Sequence, residues 1–155
     1  WLAEAPLVGR LKAAFAAHGV APERLSLAGW IEPTESHLAA YGAVDIALDP
    51  FPYNGTTTTL EALWMGVPVV TLAGARHSGR VGASLLTHAG LAELVADSPA
   101  AYIAIATALA GDLEKLAEYR QSLRELLGRS ALMDAPGFAR DLEAAYRRMW
   151  RAWCG

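Results

Sequence analysis

Residues 45–74 read DIALDPFPYNGTTTTLEALWMGVPVVTLAG, and the order of features within this stretch decides the fold. Val44 to Leu48 is an apolar run closed by the turn formers Asp49, Pro50 and Pro52, and Val67 to Leu72 is a second one closed at Gly74. Both suit buried strands, being short, rich in β-branched residues and bounded by turn signals. Leu60 to Met65, between them, reads as a helix. Two strands joined through a helix with short connections are parallel, because the crossover returns the chain in its original direction.

The same alternation extends on both sides. Upstream, Arg24 to Gly29 is a short alternating stretch that predicts a strand, and Thr34 to Tyr41, introduced by Pro33 with Thr34 as N-cap, predicts a helix. Leu7, Leu11, Ala14 and Phe15 fall at helical spacing and predict a first helix from Leu7 to Ala17, stopped by His18-Gly19. Downstream come a helix from Ser78 to Thr87, a strand from Leu91 to Val95, and a helix capped by Ser98 and running to Leu109. Alternating strands and helices predict an open α/β fold, a parallel sheet covered by helices.

Asp112 to Leu127 places Leu113, Leu116, Leu123, Leu126 and Leu127 on one side and charges on the other, so one face should pack. The tail repeats the pattern, with Phe138, Leu142, Tyr146, Met149, Trp150 and Trp153 forming an aromatic stripe that reads as core or interface rather than a ligand box. The expected organisation is a single domain over 1–155 in which about 112–155 is a helical tail.

A chain of 155 residues, 54% of them apolar, can bury a core without disulfides or a structural metal. No apolar run approaches the roughly 18 residues of a membrane span, and no signal peptide is apparent, so the default compartment is the cytoplasm. The single cysteine, Cys154, excludes an internal disulfide framework and a Cys-based zinc site. A net charge of -3, with basic residues dispersed, argues against a nucleic-acid surface. The chain opens on Trp1 rather than Met, and the expectation is that it is cut from something longer.

The four threonines Thr56 to Thr59 are poor helix formers at the point where a helix begins. In an open α/β sheet, ligands bind outside the carboxyl ends of the strands, where helix starts carry unpaired N–H groups and a partial positive charge. Asn54-Gly55 forms the turn, and the amides and hydroxyls that follow could hold a diphosphate. A second reading competes: Thr58 and Glu61 also form a capping box that satisfies the helix start by itself. No Asp-x-Asp pair or His cluster has metal-ligand spacing, so neither a metal nor another cofactor is expected. No Ser-His-Asp arrangement emerges, and no catalytic base is assigned within the chain.

The stretch quoted above, together with SGRVGASLLTHAGLAELVA after it, resembles the carboxyl-terminal catalytic lobe of O-linked N-acetylglucosamine transferases and SPINDLY-like proteins. The likeness extends from Leu25 to the YRRMW segment at Tyr146 to Trp150. It implies the second, Rossmann-like lobe of a GT-B glycosyltransferase, an open parallel sheet with helices on both faces, preceded in the longer protein by a first lobe and tetratricopeptide repeats. The implied reaction is transfer of a sugar from a UDP-sugar, UDP-N-acetylglucosamine above all, to Ser or Thr of a protein acceptor, with inversion and without a metal. Neither nucleic acid nor membrane is expected among the partners.

The resemblance also distributes roles. Thr57 and Thr58 match the threonines that bind the diphosphate, and Thr56 stands where the family carries a His, so the imidazole is replaced by a hydroxyl. Glu61 matches the acidic residue that accepts from the ribose. His37 matches the nucleotide-contacting His, which the residues alone present as an ordinary helix-surface side chain. Thr34 stands where some members carry a nucleotide-contacting Lys. Arg80 is a candidate on the phosphate side. The replacements at Thr34 and Thr56 keep a second function class open, a nucleotide- or protein-binding module without turnover.

Overall fold

The computed structural model describes residues 5–29, 31, 32 and 34–155. Trp1 and Pro33, both named above, lie outside the described residues. The chain divides into two compact units, one up to Ala40 and one from Tyr41 to Gly155.

In the first unit, α1 (Ala5–Ala16) is followed by Gly19 at φ 77, the left-handed conformation that ends a helix readily only at glycine. A 3-10 turn spans Pro22–Arg24, and α2 spans Thr34–Ala40. Thr34 is the first residue of α2 rather than the residue before it. The strand expected from Arg24 to Gly29 does not form: Arg24 closes the 3-10 turn, and no ladder partner pairs with Leu25 to Gly29 among the described residues. Alternation favours an extended backbone but cannot supply a neighbouring strand.

The second unit is built on three parallel strands, β1 (Ala47–Leu48), β2 (Val69–Leu72) and β3 (Val95–Ala96), in the order β1-β2-β3. Ala47 pairs with Val69 and Leu48 with Val70; Thr71 pairs with Val95 and Leu72 with Ala96. Between them lie α3 (Thr57–Trp64) and α4 (Val81–His88), and after them α5 (Pro99–Ala110), α6 (Leu113–Gly128) and α7 (Ala135–Cys154). Val69, Val70 and Thr71 are consecutive and all buried. Side chains alternate along a strand, so both faces of β2 are covered, as the helical crossovers require.

The strands are shorter than the apolar runs that predict them. Val44 lies before the ladder because its N–H donates to the Tyr41 carbonyl at 3.2 Å and its carbonyl accepts from Arg120 Nη2 at 2.5 Å. The run from Leu91 folds as a 3-10 turn over Ala92–Leu94 before β3. Leu91 and Leu94 are buried there, so their apolar character records burial and not an extended backbone.

The Ser98 cap matches its reading, while Asp112, read as the first residue of its helix, is the N-cap of α6. Ser98 Oγ accepts the Ala101 N–H at 3.2 Å ahead of Pro99, and Asp112 Oδ1 accepts the Lys115 N–H at 2.9 Å. α6 buries Tyr119, Leu123 and Leu127, but Leu113 is exposed, since it occupies the first helical position before the packed stripe begins. On α7 the aromatic stripe is not core: Phe138, Tyr146, Trp150 and Trp153 are all exposed, and this helix has no buried residue. Among the described residues no helix is long and apolar enough to cross a membrane.

Candidate functional site

The carboxyl ends of β1 and β2 lead into two loops, residues 49–56 and 73–80, which deliver the chain to the starts of α3 and α4. Asp49 follows β1 and is 3% exposed. Its Oδ1 accepts the Gly55 N–H at 2.7 Å, and its Oδ2 accepts the Thr71 hydroxyl at 2.6 Å. A buried carboxylate is costly unless such donors surround it. Here they come from the turn before α3 and from the central strand. Tyr102 adds a third tie by donating to the Asp49 carbonyl at 3.0 Å. Burial first, and the Asp49 charge second, raise the Tyr102 hydroxyl above its ordinary pKa, so it remains a donor.

Asn54, 2% exposed, links the two loops. Its Nδ2 donates to the Pro50 carbonyl at 3.0 Å and its Oδ1 accepts the Gly82 N–H at 3.3 Å, while its own N–H donates to the Ser78 carbonyl at 2.9 Å. Gly82 must lack a side chain, because a Cβ there would collide with Asp49 Oδ2 and Thr71 Oγ1. The starts of α3 and α4 are therefore joined through a buried polar cluster.

On this base the threonines divide. Thr56, Thr57 and Thr58 are exposed, whereas Thr59 is 4% exposed and faces inward. Thr56 is the N-cap, yet its side chain makes no capping hydrogen bond. The first intrahelical bond runs from the Leu60 N–H to the Thr56 carbonyl, at 3.1 Å. The first-turn amides of Thr57 to Thr59 precede it and have no carbonyl within the helix. The capping box is thereby overturned: Thr58 lies inside the helix, where its side chain cannot serve as the N-cap.

Glu61 instead faces Tyr41. The Tyr41 hydroxyl reaches the Thr58 carbonyl at 3.3 Å and also hydrogen-bonds the Glu61 carboxylate. Burial, followed by the Glu61 charge, raises the Tyr41 pKa. The residue matched to ribose recognition thus has its carboxylate steadied from within the same unit.

Arg80 is the residue before α4, with Nη1 donating to the Gly74 carbonyl at 3.2 Å. It shares with Thr56 the lining of an open groove of about 650 Å³. Thr34 and His37 lie on α2 in the first unit, Thr34 exposed and His37 half-buried. The structure therefore gathers Thr56, Thr57, Thr58 and Arg80 on one unit, with Glu61 one turn along α3. Asp49, Thr71 and Gly82 are additional members that the sequence reading missed. The available signal for Asp49 was an acidic residue immediately after a buried apolar run.

This arrangement, a threonine-rich helix start on a parallel sheet with its turn fastened from below, coincides with a family match. The model of glycosyl transferase family 41 matches residues 1–142. The chain belongs to that family. It is 50% identical over 136 residues to the probable UDP-N-acetylglucosamine–peptide N-acetylglucosaminyltransferase SPINDLY of Oryza sativa subsp. japonica, covering 88% of this chain and 15% of that relative. A UDP-N-acetylglucosamine–peptide N-acetylglucosaminyltransferase of Caenorhabditis elegans is 30% identical, over 97% of this chain and 13% of its own length. A solved structure of a mutant Thermobaculum terrenum O-GlcNAc transferase superposes with a TM-score of 0.89 at 49% identity, over 99% of this chain and 29% of that one. The family-41 chain thus has the fold of an O-GlcNAc transferase lobe and spans about a seventh of the curated relatives it matches, as the 15% and 13% shares show.

Proposed function

We propose that this chain is the UDP-sugar-binding lobe of a protein O-glycosyltransferase of the O-GlcNAc transferase type, working in the cytoplasm as part of a longer protein. The observation that carries the reading is the start of α3: three exposed threonines and a turn of unspent amides, set on the buried Asp49–Asn54 cluster in a family-41 chain. Thr57 and Thr58 hold the diphosphate with hydroxyl and amide donors, Thr56 supplies a hydroxyl beside them, and Arg80 lies on the phosphate side. Glu61 accepts from the ribose, and Thr34 and His37 serve the nucleoside end.

In the proposed reaction, a Ser or Thr hydroxyl oxygen of the acceptor protein forms a bond to the anomeric carbon of the sugar. The bond from that carbon to the diphosphate breaks, and UDP leaves with the electron pair. Negative charge grows on the diphosphate as it departs, so donors already aimed at it stabilise the transition state more than the ground state. The proton of the acceptor hydroxyl passes to a base outside this set of residues. The helix start provides the electrostatic stabilisation, and no metal is invoked.

The test is calorimetric titration of UDP, UDP-N-acetylglucosamine and inorganic phosphate, with GDP as the control for base recognition. UDP should bind at least tenfold more tightly than phosphate, and Thr57→Ala, Glu61→Ala and His37→Ala should each weaken it. Equal binding of UDP and phosphate, or variants indistinguishable from wild type, defeats the assignment. Full-length protein that binds UDP but transfers no sugar would establish a binding module instead.

A further inference from the structure

The groove that Thr56 shares with Arg80 continues along α4, past His77, Ser84 and His88. Its polar lining consists of a guanidinium, two imidazoles and three hydroxyls, and among the described residues no carboxylate lines it. In a chain of net charge -3, that is a local departure from the overall balance. Arg80 uses Nη1 on the Gly74 carbonyl, which fixes the guanidinium without neutralising it. His88 Nδ1 lies 2.8 Å from the Ser84 carbonyl, so that nitrogen carries a proton and donates. Nε2 then remains for a ligand.

We infer that this groove holds an acidic stretch of the acceptor polypeptide, with carboxylate side chains close in sequence to the Ser or Thr that receives the sugar. The inference rests on the function proposed above. An acceptor hydroxyl must reach the carbon attached to the diphosphate, so the polypeptide on one side of it passes the start of α3. Thr56 belongs both to that start and to the groove. α4 has eight residues and, at 1.5 Å per residue, is about 12 Å long. An extended polypeptide rises about 3.3 Å per residue. The groove therefore accommodates about four residues, which places the favoured carboxylates within about four positions of the modified hydroxyl.

The experiment uses the full-length protein and three synthetic acceptor peptides, identical except for Glu, Gln or Lys at the flanking positions. Peptide binding in the presence of UDP and transfer are both measured, together with UDP affinity alone. The expected result is preference for the Glu peptide over the Gln peptide by about fivefold, and for Gln over Lys, in both binding and transfer, as for partly exposed ion pairs. The double variant His77→Glu/His88→Glu, at two exposed positions, should abolish or reverse that order while UDP affinity holds. UDP binding with no charge preference among the peptides overturns the groove alone. Weakened UDP binding in the double variant, with all three peptides losing equally, assigns the groove to the donor and also overturns the inference. Absence of both UDP binding and peptide preference overturns the inference together with the reading beneath it.

Discussion

Asp49 and Gly55 are six residues apart and joined by a 2.7 Å hydrogen bond from the backbone N–H to a buried carboxylate oxygen. That bond turns the Gly55 amide inward, so in the proposed site the phosphate contacts fall to the residues after it. Asp49→Ala should therefore strand the Gly55 N–H and the Thr71 hydroxyl, costing about 3 kcal/mol. Asp49→Asn can still accept from Gly55 and donate to Thr71, so it should cost about half as much. Chemical denaturation measures both. If the role is positioning, UDP affinity measured on folded protein falls about tenfold for Ala and is largely rescued by Asn.

Gly82→Ala introduces a methyl group where Asp49 Oδ2 and Thr71 Oγ1 already stand. The helix must shift or the cluster must break, and overpacking of this kind costs about 1–3 kcal/mol. The expected readout is a lower denaturation midpoint together with weaker UDP binding, although residue 82 itself is buried. Normal UDP affinity in this variant would show that the join between the α3 and α4 starts is irrelevant to the site.

The exposed threonines should not be equivalent. If Thr57 and Thr58 hold the diphosphate as proposed, Thr57→Ala and Thr58→Ala each remove a hydroxyl donor to a charged group, worth about tenfold in UDP affinity. Thr56→Ala should have a smaller effect on UDP. None of the three should change stability by more than about 0.5 kcal/mol, because all are exposed. Parallel calorimetry and thermal denaturation check both halves of the expectation.

Arg120 closes the far end of α3. Its Nη1 donates to the Tyr41 and Met65 carbonyls at 3.2 and 3.1 Å, and its Nη2 to the Val44 carbonyl. Arg120→Lys cannot reproduce a planar fork spanning three acceptors. It should cost about 2 kcal/mol, with Arg120→Met costing more, as read from urea midpoints. A Lys variant as stable as wild type would contradict the clamp.

Tyr119 donates to Glu93 at 3.0 Å, and burial, then this bond and the neighbouring charge, raise its pKa above the ordinary 10.0. Above that value the unfolded chain loses the phenolic proton while the folded chain keeps it, so stability falls as pH rises. Tyr119→Phe should be less stable near neutrality, by about 1 kcal/mol for the lost bond. It should also lose stability less steeply above about pH 10. Denaturant midpoints across that range test the slope, to which Tyr41 and Tyr102 contribute in the same sense.

The fold class was legible because burial leaves a coarse trace. Val67 to Leu72 is apolar whichever face is considered, and only a strand covered on both sides needs that. Strand ends were not legible, since Val44 and Leu91 are just as apolar but spend their backbone bonds in turns. The threonines marked the site, yet sequence could not separate a capping box from a ligand site; that required knowing that the helix begins before Thr58. Asp49, Thr71 and Gly82 escaped notice because they are 22 and 11 residues apart, and only the parallel pairing of β1 with β2 brings the first two together.

The join made by Asn54 has one more consequence. The loops before α3 and α4 are tied to each other, to β1 and to β2 before any anion arrives. An incoming ligand therefore has little backbone to immobilise, and less of its binding energy is consumed in ordering the protein. What loses freedom is chiefly the ligand and a few threonine rotors, so a rigid socket can grip a small charged group firmly while remaining open to solvent.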